Sequence, residues 1–416
     1  MALGKSYDHS PVKSNGDSLP DGMPTLYTML RDAGYRVGST GKLDLRKPQH
    51  DWGPDGQHRV NGKVYFNEWG FTDGLDSEGK GDSFSGIKTD PTTGQPRGES
   101  PYTKLLTDRQ DGSLERYIAW KDAQSQAPRP GSYTHTTPIE LADDAYNDNW
   151  VGQNALALIE SFPKEQPWFL QVNFPGPHAP MDITPPMDAW YRDTVFPQPF
   201  ENTQIEAAMH VAIRRNYSAM VENIDRWLGR YLDVIDARGE RNNTLVVFSS
   251  DHGEMLGDHD RWSKSVPYQP SAAVPLVIAG PGVGEGARNA APVETNDLTS
   301  TFLDYAGVAI PSDMTSRSLR PMLDGSESVG RPAIFSGLNE WRAVFDGRYK
   351  LVRGYNTDDP DPKATTSRRT ASSSTMNPDH AQLFDLMDDP MESINLADSL
   401  PDHVRRLSEL MMLRIA

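Results

Sequence analysis

The sequence predicts an α/β protein, and three observations carry that expectation. Short apolar runs of strand length occur between polar turns, as in TLVVFSS at 244–250 and VPLVIAG at 274–280. Other stretches repeat apolar residues every three and four positions, the pattern of a helix laid against a sheet. Charged residues then follow the strand-like runs directly: Gly41-Lys42, Pro177-His178 and Asp251-His252-Gly253. Enzymes with parallel sheets place their chemistry at the carboxyl ends of strands.

From Pro24, the run PTLYTMLRDAGYRVGSTGK reads as helix, glycine stop, strand and glycine turn. Leu26, Met29, Leu30 and Ala33 form the apolar stripe and Gly34 ends it. Residues 46–135 are polar and rich in Gly, Asp and Pro, and predict long surface loops, with WGFTDGL a local turn around aromatic anchors. A helix is expected over 138–162, with Pro138 near its start. The strand PWFLQVNF follows, and PGPHAPMDITPP leaves its end as a proline-restrained loop.

Residues 204–235 predict a long helix, with Ile205, Ala208, Met209, Ile213, Met220, Ile224, Trp227 and Leu228 on one face. RGERNN leads into TLVVFSS; VPLVIAG reads as a further short buried strand, and ETNDLTSTFLDYAGV as a helix ending at Gly307. From about 330 the pattern changes. WRAVFDGRYKLVRG is a hairpin signal around Asp346-Gly347. Residues 356–380 are a loop rich in Asp, Pro, Ser and Thr. QLFDLMDDPMESINLA and a helix from about 401 close the chain. The expected division is an α/β domain over 1–325 and a C-terminal subdomain with a small antiparallel sheet over 326–416.

The 416 residues carry 41 basic and 58 acidic side chains, a formal net charge of -17. That field disfavours nucleic acid and anionic membranes as partners. It leaves room for a small anion at a local cluster of cations. There is no cysteine, so the chain holds no disulfide, thiolate metal site or cysteine nucleophile. No run of about 18 apolar residues occurs, and MALGKSYDHSPVKSNG is too polar for a secretory signal. The reading is a soluble protein of open location, cytoplasmic or, where a start lies upstream, secreted. A homo-oligomer is compatible with the sequence.

Asp251 and His252 end the clearest strand. A carboxylate there suits calcium, magnesium or manganese, and the histidine shifts the preference towards manganese or zinc. The plainer alternative is a turn with an N-capping aspartate. Hard ions take six or more oxygens, so further ligands would be needed. Asp143-Asp144 is better explained by a helix start. Lys42, His178 and Lys264, brought to one point, would bind and polarise a tetrahedral oxyanion, with His178 able to protonate a leaving group. Taken singly, the lysines read as solvated and His178 as a loop residue. Asp44 would orient Lys42 or begin a loop. His259 is a substrate-side candidate or a surface histidine, and Trp262 a candidate for the site's mouth. The glycines of GPGVGEG lack dinucleotide-binding spacing. Asn216-Tyr217-Ser218 and Asn242-Asn243-Thr244 match the glycosylation pattern, the first inside an expected helix.

Five segments together resemble the sulfatase branch of the alkaline-phosphatase-like superfamily: PTLYTMLRDAGYRVGSTGK, VNFPGPHAP, VVFSSDHGEMLGDHDRWSK, VPLVIAGPGV and QLFDLMDDPMESINL. The variant with DHG and LGDH is similar to the choline-sulfatase, arylsulfatase and phosphonate-monoester-hydrolase type. The resemblance implies a central mixed sheet flanked by helices, with a small C-terminal antiparallel sheet. It implies a divalent metal, calcium in most relatives and manganese in some, held in part by Asp251 and His252. It places Lys42 near the sulfate and the formylglycine, and His178 and Lys264 in contact with the sulfate, one of these two assisting the leaving group. Such enzymes cleave sulfate esters with a formylglycine made in a C/S-x-P-x-R motif. That motif and the opening Asp-Asp strand are missing from this sequence, and Asp44 replaces the family histidine two residues after Lys42. The expectation is a sulfuric ester hydrolase whose first few dozen residues are absent here, inactive as written. The alternatives are a phosphodiesterase or phosphonate monoester hydrolase of the same superfamily, or a non-catalytic anion-binding protein.

Overall fold

The computed structural model describes residues 1–14, 16–45, 59–60, 63–326, 330–355 and 380–415. The chain forms two compact units. One comprises residues 15–241; the other comprises residues 1–14 and 242–416.

The unit of residues 15–241 starts with helix α1 (Leu26–Asp32), closed at its start by a reciprocal cap between Thr25 and Thr28. Strand β1 (Arg36–Gly41) follows and is buried from Val37 onward. It pairs in parallel with the short β2 (Asp73–Gly74), Gly38 opposite Asp73. On its other side it pairs in parallel with β3 (Trp168–Asn173), from Arg36 opposite Trp168 to Gly41 opposite Asn173. The WGFTDGL turn is anchored as expected: Trp69 and Phe71 are buried, and the Phe71 ring lies 4.3 Å from that of Tyr27.

Residues 101–134 are not loops. They contain α2 (Pro101–Asp108), α3 (Ser113–Gln126) and a single turn over Gly131–Thr134. Tyr102, Leu106, Leu114, Tyr117 and Trp120 supply a buried face, while the polar residues that suggested loops lie on the outside. The expected helix over 138–162 is α4 (Asn147–Ser161). Its first residues are drawn into other structure. Ile139 N–H donates to Ile183 O at 2.8 Å, and Asp143–Ala145 is a 3-10 turn. Helix α5 (Ala207–Ala237) matches the long apolar stripe. Ala155 and Ile159 of α4 pack with Trp227, Tyr231 and Ile235 of α5, and Trp168, Leu170 and Val172 of β3 join the cluster.

The other unit holds the antiparallel pair β4 (Val246–Ser249) and β5 (Leu276–Ala279). The expectation that β5 is buried is corrected: Leu276 is 36 % and Val277 62 % accessible. Among the described residues these two strands pair only with each other, and a two-stranded ribbon cannot cover its own faces. Helix α6 (Asp297–Tyr305) ends before Gly307. A four-stranded antiparallel sheet follows: β6 (Ile334–Leu338), β7 (Trp341–Phe345), β8 (Tyr349–Arg353) and β9 (Ala381–Asp385), in that order. Alternation places Trp341, Ala343, Val352 and Phe384 on one face with Met255 and Tyr268. Val344, Leu351 and Leu383 lie on the other, against Leu407 and Met411 of α7 (Pro401–Ile415). The Asp346-Gly347 turn joins β7 to β8 as the sequence indicated, with Gly347 at φ 100°. The loop expected over 356–380 falls almost entirely outside the described residues.

Candidate active site

Lys42 and His178 are carried to one edge of one sheet. Gly41 ends β1 at φ 93°, and a Cβ there would lie 1.9 Å from Asn173 O, so only glycine fits. The turn at Gly41 delivers Lys42, whose N–H donates to Asn173 O at 3.2 Å. Its Nζ lies 3.1 Å from Asp44 Oδ2, so Asp44 does orient the lysine. The Lys42 stem runs over Gly79, where an added Cβ would meet Cδ at 3.1 Å. Ser77 forms a parallel bridge with Lys42.

His178 lies in the loop that leaves β3. Its Nδ1 is 2.6 Å from Ala179 O. A carbonyl only accepts, so Nδ1 carries hydrogen in the neutral ring. The loop is held by four residues that sequence reasoning did not select. Asp148 Oδ1 accepts the Gly176 N–H at 2.8 Å. Lys80 Nζ lies 3.5 Å from Asp148 Oδ2 and 2.8 Å from Asp182 Oδ1. Tyr146 OH is 3.3 Å from the same Nζ and donates to Asp182 O at 2.9 Å. All three charged residues are buried. Burial lowers the Lys80 pKa, but the facing charges of Asp182 and Asp148 outweigh it and hold the ammonium above its ordinary value. One signal was present in the sequence. Asp148 is a charge on the same helical stripe as Val151, Ala155 and Ile159.

In the other unit, Asp251 and His252 follow β4. His252 Nδ1 lies 2.8 Å from Gly253 O, and Nε2 lies 3.6 Å from Asp251 Oδ2. A carbonyl on Nδ1 is how proteins commonly orient a metal-binding imidazole. Two side chains do not satisfy a hard divalent ion, however. Among the described residues no group of three or more His, Cys, Asp or Glu is placed to hold a metal. Asp251 and His252 would supply only part of such a donor set.

Lys264 and His259 lie in the loop that follows. That loop concentrates strain: Leu256, His259, Asp260, Ser263 and Ser265 all have positive φ. Glu254 Oε1 accepts N–H groups from Ser263 at 2.6 Å and Leu256 at 3.2 Å. His259 stacks on Tyr268 at 4.2 Å, and its Nε2 donates to Met391 O at 2.9 Å. Trp262 is buried. Ser10, with its Oγ accepting the Val12 N–H at 3.1 Å, belongs to a turn.

This is an α/β protein whose parallel strands present a lysine and a histidine at their carboxyl ends. Residues 1–308 match the sulfatase family model, and residues 257–412 match the model of the N-sulphoglucosamine sulphohydrolase C-terminal region. The chain belongs to the sulfatase family. It is 26 % identical over 324 residues to an arylsulfatase of Clostridium perfringens, an alignment that takes in 72 % of this chain and 62 % of that protein. The phosphonate monoester hydrolase of Silicibacter pomeroyi superposes with a TM-score of 0.71 at 20 % identity, over 99 % of this chain and 83 % of that one. BT4656, solved with its substrate D-glucosamine-2-N,6-O-disulfate, superposes at 0.69 and 17 % identity, over 100 % and 86 %. The expected fold is the observed one: a central mixed sheet flanked by helices and a small C-terminal antiparallel sheet.

Proposed function

We propose that this chain recognises the tetrahedral anionic head of a sulfate or phosphonate monoester through Lys42 and His178. One observation carries the reading. The two residues leave the carboxyl ends of neighbouring parallel strands, paired up to Gly41 and Asn173. Lys42 supplies a positive charge to the anion. His178, through Nε2, is proposed to contact the ester oxygen of the same head group, the place from which a general acid would act in a chain that carries the nucleophile. From the family motifs they match, Asp251 and His252 are proposed as partial ligands of a divalent ion, calcium first and manganese second, and Lys264 as an anion-binding lysine. The ligand bound in BT4656 makes sugar sulfates the first esters to try.

The 416 residues contain no cysteine and no Ser-x-Pro-x-Arg sequence, hence no formylglycine precursor. We infer that this polypeptide binds the anion without turning the ester over. Calorimetric titration with inorganic sulfate and phosphate tests the binding. Lys42→Ala and His178→Ala should each weaken it by about tenfold, the value of one charged hydrogen bond. Unchanged affinity in both variants would remove the site. Hydrolysis of 4-nitrophenyl sulfate or a phosphonate monoester by the purified chain would overturn the non-catalytic reading. Calcium titration of the wild type and Asp251→Ala tests the metal; equal binding by both would dismiss that assignment.

A further inference from the structure

We infer that Lys80 is a positioning residue for His178, acting through Asp148 and Asp182; the inference rests on the role proposed above for His178. The loop from Gly176 to Asp182 carries His178, and Lys80 meets both of its ends. At the start, Asp148 bridges Lys80 to the Gly176 N–H, with 3.5 Å from Nζ to Oδ2 and 2.8 Å from N to Oδ1. At the finish, Asp182 meets Nζ at 2.8 Å. The Lys80 side chain is 2 % accessible, so it does not contact a ligand itself.

Burying three charges has a desolvation cost of several kcal/mol per ion, and well-packed apolar replacements are often as stable. Stability alone therefore gives weak reason for this arrangement; geometric specificity gives a better one. The same segment also sets Lys42. Ser77 bridges to Lys42, and Gly79 leaves room for its stem. Ser77–Lys80 thus spaces Lys42 from the loop of His178.

The test uses the full chain with three variants: Lys80→Met, Asp148→Asn and His178→Ala. The first readout needs no ligand. Ring nitrogen NMR shifts of His178 report whether hydrogen stays on Nδ1, as its bond to Ala179 O requires. In Lys80→Met this tautomer should be lost or mixed. The second readout is affinity for inorganic sulfate, which should fall by about tenfold, in line with small misplacements of a binding group. A folded Lys80→Met protein with the wild-type tautomer and affinity overturns the inference, even if its Tm is lower. If Lys80→Met does not fold, Asp148→Asn decides by the same two outcomes, because it keeps an oxygen for Gly176 and removes the charge facing Lys80. Failure of the site reading looks different. There, His178→Ala leaves sulfate affinity unchanged, while the ring nitrogen shifts still report on Lys80.

Discussion

Asp148 and Gly176 meet at 2.8 Å, carboxylate oxygen to backbone N–H, and no side chain fits between them. A Cβ on residue 176 would lie 2.4 Å from Asp148 Oδ2. Asp148 cannot withdraw into water, since it is fully buried and faces Lys80. Gly176→Ala should therefore destabilise the protein by about 1–3 kcal/mol, the usual result of overpacking. Chemical denaturation of the two proteins checks this, and an unchanged midpoint would show that the loop shifts freely.

Gly41→Ala should be more damaging. It adds a Cβ 1.9 Å from a backbone oxygen at a φ of 93° that L-residues seldom adopt. Neither the carbonyl of Asn173 nor the parallel ladder beside it can yield cheaply. We expect a loss of about 3 kcal/mol or more, the range of combined steric and backbone strain. A Tm within a degree of wild type would contradict the close approach of β1 to β3.

Glu78 makes stability depend on pH. Burial pushes its carboxyl up to about 7, although hydrogen bonds from Ser100 and the backbone oppose this. A folded-state pKa above the unfolded value means that the native protein binds the proton more tightly. The associated stability is present at low pH and is lost as pH rises from about 4.5 to about 7. A shift of that size amounts to roughly 3 kcal/mol. Glu78→Gln should remove this dependence, so the variant gains on the wild type as pH rises. Parallel stability curves from pH 5 to 8 would refute it.

Of the two glycosylation-like sites, Asn216 should stay unmodified. It is fully buried, and its Nδ2 donates to Thr136 O at 3.0 Å and to Met181 O at 2.8 Å. Asn242 is exposed. Expression through a secretory host followed by glycopeptide mass spectrometry should find any glycan at Asn242 alone, and a glycan on Asn216 would mean that α5 forms late or incompletely.

Much of the framework was legible because it follows from short-range rules. The short run between Gly34 and Gly41, and WFLQVNF before Pro175, are set off by glycine and proline as strands. Lys42 and His178 stand just beyond those ends, so their common edge follows once the strands are parallel. Helices α2 and α3 were missed because about half of each is polar, and only packing shows that Tyr102, Leu106, Tyr117 and Trp120 share a buried side. The start of α4 was misplaced because Ile139 bonds to Ile183, a partner distant in sequence.

By itself, the sequence determined the α/β class and which residues follow the strands, because periodicity and turn chemistry act over a few positions; five segments in a fixed order carried the family resemblance. Tertiary structure alone decided that Lys80, Asp148 and Asp182 share one buried site. Charge pairing in a low-dielectric interior depends on distances of about 3 Å between residues up to 102 positions apart. No local pattern encodes such distances. It also decided that Asp44 faces Lys42 and that Asp148 holds the loop of His178, for the same reason.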